Sequence, residues 1–97
     1  MLNSKQTAFL KAKSHSTNPV VQIGFKGLTD SVMDEIEVNL SAHELIKIKI
    51  QSDVKNDRQK ILGLVCEKLH AEPINHIGKL IVIFRPNKQT KITLPQT

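Results

Sequence analysis

Val20-Val21-Gln22-Ile23-Gly24-Phe25-Lys26-Gly27-Leu28-Thr29 passes from a short β-branched run, through two glycines three positions apart, to a threonine that opens an amphipathic pattern. Asn18-Pro19 and Gly24 bound the run, which predicts a buried strand over residues 20–23. Thr29 is an N-cap, Leu28 and Met33 stand at the positions of a hydrophobic staple, and Val32, Met33, Ile36 and Leu40 recur at helical spacing. Asp30, Asp34 and Glu37 then face outward. A strand turned sharply into a helix is half of a crossover unit, and a second strand after the helix would complete it.

Ile46, Ile48 and Ile50 alternate with Lys47 and Lys49, which marks that second strand, with one apolar face and one wet, basic face. Ile61, Leu62, Leu64, Val65, Cys66 and Leu69 trace a core-facing helix from about Asp57 to His70, closed by Glu72-Pro73. Gly63 either weakens this helix or lets it pack closely. Residues 74–77 and Leu80-Ile81-Val82-Ile83-Phe84 flank Gly78-Lys79, a connection suited to a tight hairpin, and the second run is apolar throughout, as a central, doubly covered strand would be. Upstream, Lys5 to Ser14 suits a short basic helix with Ser4 as its N-cap and Lys5, Lys11 and Lys13 on its polar face. The order is helix-strand-helix-strand-helix-strand-strand. Crossovers favour parallel pairing and the hairpin demands antiparallel pairing, so the fold is an α/β sandwich with a mixed four-stranded sheet packed with helices. The chain reads as one domain over residues 1–97, with residues 86–97 a basic tail in which Ile92 and Leu94 alternate.

Charge is segregated along the chain. Residues 1–29 hold Lys5, Lys11, Lys13 and Lys26 with no acid, and residues 73–97 hold Lys79, Arg85, Lys88 and Lys91 with none. All nine acids lie between Asp30 and Glu72, and the net charge is +5. Folding can bring the two cationic ends onto one basic face, which attracts polyanions through counterion release. No apolar stretch reaches the roughly 20 residues that span a bilayer, and the N-terminus lacks the apolar segment of a secretory signal, so a cytosolic protein is the expectation. A monomer is expected. Cys66 is the single cysteine and reads as a small core residue.

Catalytic machinery is not legible. His15, His43, His70 and His76 are scattered without metal-ligand spacing, Ser14-His15-Ser16 and Asp53 with Asp57 form no nucleophile-base-acid set, and Glu35 and Glu37 face different sides of a helix. Neither an enzyme nor a cofactor is expected. What remains is binding. Gly24-Phe25-Lys26-Gly27 is either a structural turn or a cradle into which a phosphate chain approaches closely, with Lys26 as its cation. Phe25 is either an exposed ring that stacks on a base or an apolar anchor for the loop. Phe9, Phe25 and Phe84 are the only aromatic residues, too few for an aromatic sheet platform that reads single-stranded RNA. Backbone, phosphate and shape must carry recognition. An alternative is a protein-interaction adaptor using an acidic face of Asp34 and Glu37.

Lys5-Gln6, Leu10-Lys11, Pro19-Val20-Val21, Gly24 to Thr29, Glu35-Ile36-Glu37, His43 to Lys49, Ile77-Gly78-Lys79, Leu80 to Pro86 and Lys91 to Pro95 together form an ordered set of matches along the chain. Through them the chain resembles the stand-alone bacterial members of the YhbY-like CRM (chloroplast RNA splicing and ribosome maturation) domain family. It implies a fold similar to the C-terminal domain of translation initiation factor three and a loop comparable to that of KH domains. It also implies binding of ribosomal RNA in precursors of the large ribosomal subunit, whose assembly the protein would assist. Carried over residue by residue, it implies phosphate contact at Gly24, Lys26 and Gly27. Together with the basic positions, the expected RNA-binding set is Gly24, Phe25, Lys26, Gly27, Lys11, Lys13, Lys47, Lys49, Lys79, Arg85 and Lys88. Gly27→Asp is then expected to weaken RNA binding without unfolding the domain.

Overall fold

The computed structural model describes residues 2–51, 55–87 and 94–95. Along the chain run α1 (Ser4–Ser14), β1 (Val21–Ile23), α2 (Asp30–His43), β2 (Leu45–Ile50), α3 (Lys55–Leu69), β3 (Glu72–Ile77) and β4 (Leu80–Phe84). The strands form one four-stranded sheet in the order β1-β2-β4-β3. β1 and β2, joined by α2, pair in parallel, whereas β4 is antiparallel to both its neighbours. This is the mixed α/β sheet expected from two crossovers and a closing hairpin. Both β2 and β4 are interior.

Alternation along the strands sorts side chains onto two faces, each with its own core. Val21, Ile23, Ile46, Ile48, Ile50, Ile81 and Ile83 pack with Ile36 and Leu40 of α2 and Leu62 and Val65 of α3. On the opposite face Leu45, Ile74, Val82 and Phe84 close over Leu10 of α1. The alternation in β2 predicts a wet second face. Instead α1 covers its first part, so Leu45 is buried and Lys47 half-buried, while Lys49, farther along, is exposed.

Several local ends differ from expectation. The N-cap of α1 is Asn3 rather than Ser4, because Asn3 and Gln6 form a reciprocal capping box: the Gln6 N–H donates to Asn3 Oδ1 at 2.8 Å and the Asn3 N–H to Gln6 Oε1 at 3.1 Å. β1 starts at Val21, and Val20 is 40% exposed although its N–H donates to the Lys47 carbonyl. α3 ends before Glu72-Pro73: His70 turns left-handed at φ 55°, and the Ala71 N–H donates back to the Cys66 carbonyl at 3.0 Å. This six-residue closure is a Schellman pattern, here with histidine where glycine is usual. Glu72 and Pro73 therefore join β3, an edge strand, where a missing ladder donor is tolerated. A register shift between Pro73 and Asn75 accompanies the burial of Ile74 in the α1 core.

Thr29 caps α2 as expected, its hydroxyl accepting from the Val32 N–H at 3.2 Å, and Leu28 and Met33 both pack on the α2/α3 core. Leu94 packs on the α1 core and the Pro95 carbonyl accepts from Gln6 Nε2, so this part of the tail lies on the body of the protein. Ile92 and Lys91 lie outside the described residues.

Candidate nucleic-acid interface

β1, β2 and β3 all finish, and β4 begins, at one end of the sheet, as their registers require. Two backbone bonds tie that end together. The Gln51 N–H donates to the Ile23 carbonyl at 2.9 Å, holding the exit of β1 against β2, and the Ile50 N–H donates to the Lys79 carbonyl at 2.7 Å, holding the hairpin against the same strand. The Gly24–Gly27 loop and the Gly78-Lys79 turn are thus both pinned to the end of β2.

The loop itself is a tight turn, closed by the Gly27 N–H donating to the Gly24 carbonyl at 3.0 Å. Gly27 takes φ 77°, which L side chains rarely adopt, and its carbonyl accepts from the Thr29 N–H, leading directly into the α2 cap. Gly24 differs. It is exposed, its φ lies outside the left-handed region, and a Cβ added to it meets nothing within 4 Å. Phe25 is 88% exposed at the tip, which excludes the anchoring reading, and Lys26 beside it is exposed.

The sheet end gathers Gly24, Phe25, Lys26 and Gly27 with Lys49 and Lys79. Lys47 sits two residues back along β2, on the α1 face. Lys11 and Lys13 are exposed in the last turn of α1, on that same face. Arg85 is placed elsewhere. It follows β4 at the opposite end of the sheet, and its guanidinium grips the Glu37 carboxylate of α2 through both terminal nitrogens, Nη1 donating to Oε1 at 3.0 Å and Nη2 to Oε2. It also donates to the Leu69 carbonyl at 3.0 Å and to Ser41 Oγ at 3.1 Å. Hydrogen bonding to Arg85 holds the Glu37 carboxyl below its ordinary range, and the same bond raises the Arg85 pKa. The pair fastens α2, the end of α3 and the exit of β4, so Arg85 is not part of the basic surface at the loop end. Glu37 is likewise engaged rather than simply outward-facing, and the acidic face considered for an adaptor loses it to Arg85. Lys88 lies outside the described residues.

Gln22, Ile77 and Leu80 also lie at this end of the sheet, which the sequence reading did not bring together. Their place beside Lys49 follows from cross-strand register: Gln22 pairs with Lys49, Lys49 with Leu80, and Leu80 with Ile77. The signal was the polar Gln22 between buried Val21 and Ile23, and it became readable only once the strand order was known.

Comparison with known proteins places this geometry in context. A model of the CRS1 / YhbY (CRM) domain matches residues 2–85. The chain is 40% identical over 95 residues to a Haemophilus influenzae protein named "RNA-binding protein", covering 98% of this chain and 96% of that one. It is 31% identical over 96 residues to the Bacillus subtilis "Probable RNA-binding protein YqeI", covering 98% and 100%. The solution structure of protein SAV1595 from Staphylococcus aureus superposes with a TM-score of 0.86 at 31% identity, over 98% of this chain and 100% of that chain.

Proposed function

The chain belongs to the CRS1 / YhbY (CRM) domain family, and from that premise we propose that it is a non-catalytic RNA-binding protein of the cytoplasm. Its target is ribosomal RNA in precursors of the large subunit, whose assembly it assists. The Gly24–Gly27 loop contacts the sugar-phosphate backbone, Lys26, Lys49 and Lys79 neutralise phosphates around it, and Lys11, Lys13 and Lys47 extend the basic surface along the α1 face.

The observation that carries this reading is Gly24. Neither its backbone conformation nor its surroundings require glycine. Without a Cβ this exposed loop position is open to close approach from outside, and a polyanionic backbone suits a loop whose side-chain charge is a lysine. The names of the Haemophilus and Bacillus relatives support RNA as that partner. The exposed Phe25 ring is available for stacking on an unpaired base.

Gly24→Asp tests the loop. It places a negative charge against phosphate at a position with room for a side chain, so RNA affinity should fall about tenfold or more, the equivalent of a lost charge-assisted contact, while thermal stability stays unchanged. Unaltered affinity in the folded variant removes the loop from the mechanism. Crosslinking in cells followed by RNA sequencing tests the target, and recovery of precursor large-subunit RNA is expected.

A further inference from the structure

The RNA-binding reading assigns the loop to the backbone and gives Phe25 one unpaired base but leaves the neighbouring bases without a place, and the α1 face of the sheet offers one. α1 covers only part of that face, over Leu45, Ile74, Val82 and Phe84. Beyond its edge, one rung runs unbroken across all four strands: Gln22 of β1, Lys49 of β2, Leu80 of β4 and Ile77 of β3. Gln22 and Lys49 are exposed, Leu80 is half-buried, and Ile77 is 54% exposed. Val20, 40% exposed, adds an aliphatic side chain next to the rung at the β1 edge.

Building on the RNA-binding reading, we propose that this rung is a platform for the bases of a single-stranded RNA segment whose backbone is held at the sheet end by the Gly24–Gly27 loop. The chemistry fits that occupant. Ile77 and Leu80 give an aliphatic surface against which an unpaired base face loses water, and Gln22 supplies both a donor and an acceptor for a base edge. Lys49 within the rung and Lys79 in the adjoining turn match the charge of the flanking phosphates, and the rung contains no acid. The loop follows Ile23 directly, so the backbone clamp begins two residues from Gln22. A double helix presents no free base faces to such a surface, and therefore gains only the backbone contacts.

Fluorescence anisotropy with a short unstructured RNA oligonucleotide, and with the same strand annealed to its complement, tests the proposal. The single strand is expected to bind at least about fivefold more tightly than the duplex. Ile77→Gln keeps the charge unchanged and should weaken single-strand binding by about fivefold, as expected for lost apolar burial, while leaving duplex binding and the salt dependence unaltered. Ile77→Ala, which adds no polar group at this exposed edge position, should lie between the two. Equal binding of duplex and single strand, or full single-strand affinity in both Ile77 variants, overturns the platform. If at the same time Gly24→Asp weakens binding, the loop reading survives and the sheet-face assignment alone falls. If the unaltered protein binds neither RNA, both fall together.

Discussion

Gly24 and Gly27 look equivalent in the sequence, yet their backbones assign them different work. At Gly27, φ 77° strains any other residue, so Gly27→Asp should cost about 1–2 kcal/mol in urea unfolding. Any loss of RNA binding in that variant would then be confounded with stability. Gly24→Asp should leave unfolding within about 0.5 kcal/mol of the parent and is the cleaner probe. Arg85 and Glu37 are a second case where the residue type suggests one role and the contacts give another. Arg85→Ala should destabilise the protein by about 1–2 kcal/mol through its lost bonds to Glu37, Leu69 and Ser41, without changing the salt dependence of RNA binding. The sign of its pH dependence follows from the depressed Glu37 carboxyl. An unfolded chain binds that proton more readily, so the pair's contribution is present above the ordinary carboxylate range and lost as pH falls through the lower folded value. Acid unfolding should accordingly be steeper in the parent than in Arg85→Ala. Cys66 behaves as the core-packed residue that its helical spacing indicates. Burial pushes its thiol up to about 11, so alkylation at neutral pH should be slow in the folded protein and become rapid on adding denaturant, as mass spectrometry would show.

The elements are legible wherever a periodic apolar pattern coincides with local turn chemistry. β2 and β4 show it by alternation or continuous hydrophobicity, and α2 shows it through Thr29 and the spacing of Ile36 and Leu40. Ends are less legible, because competing signals lie within a residue or two of each other. Ser4 and Asn3 both suit an N-cap, and Gln6 decides for Asn3 by completing the box. Pro73 suggests a helix stop, but the stop comes earlier, at left-handed His70, a conformation that composition does not announce. For Gly63 the sequence allows either weakness or close packing. It is exposed in α3, with nothing within 4 Å of an added Cβ, so it confers no packing advantage. Gly63→Ala should therefore stabilise the protein by about 1 kcal/mol, measurable as a rise in urea midpoint with an unchanged slope.

Across the whole molecule, strand order decides which charges act together. It gathers Lys26, Lys49 and Lys79 at one end of the sheet and sends Arg85 to the other. RNA affinity should fall steeply with salt, and Lys49→Gln or Lys79→Gln should each reduce the slope of log affinity against log salt by about 0.7, one single-strand phosphate apiece, in a titration series. No helix among the described residues is long and apolar enough to cross a membrane. By itself the sequence determined the element types, the mixed sheet and the glycine turn between β1 and α2, because these depend on hydrophobic period and turn residues close together in the chain. Only the tertiary structure decided that Gly24 is unconstrained while Gly27 is not, that Glu37 occupies Arg85, and that Gln22, Lys49, Leu80 and Ile77 form one open rung. The glycines differ through hydrogen bonds inside the turn itself, whereas the other two depend on which distant segments become neighbours, an arrangement set by the pairing of β4 between β2 and β3 together with the partial cover of α1.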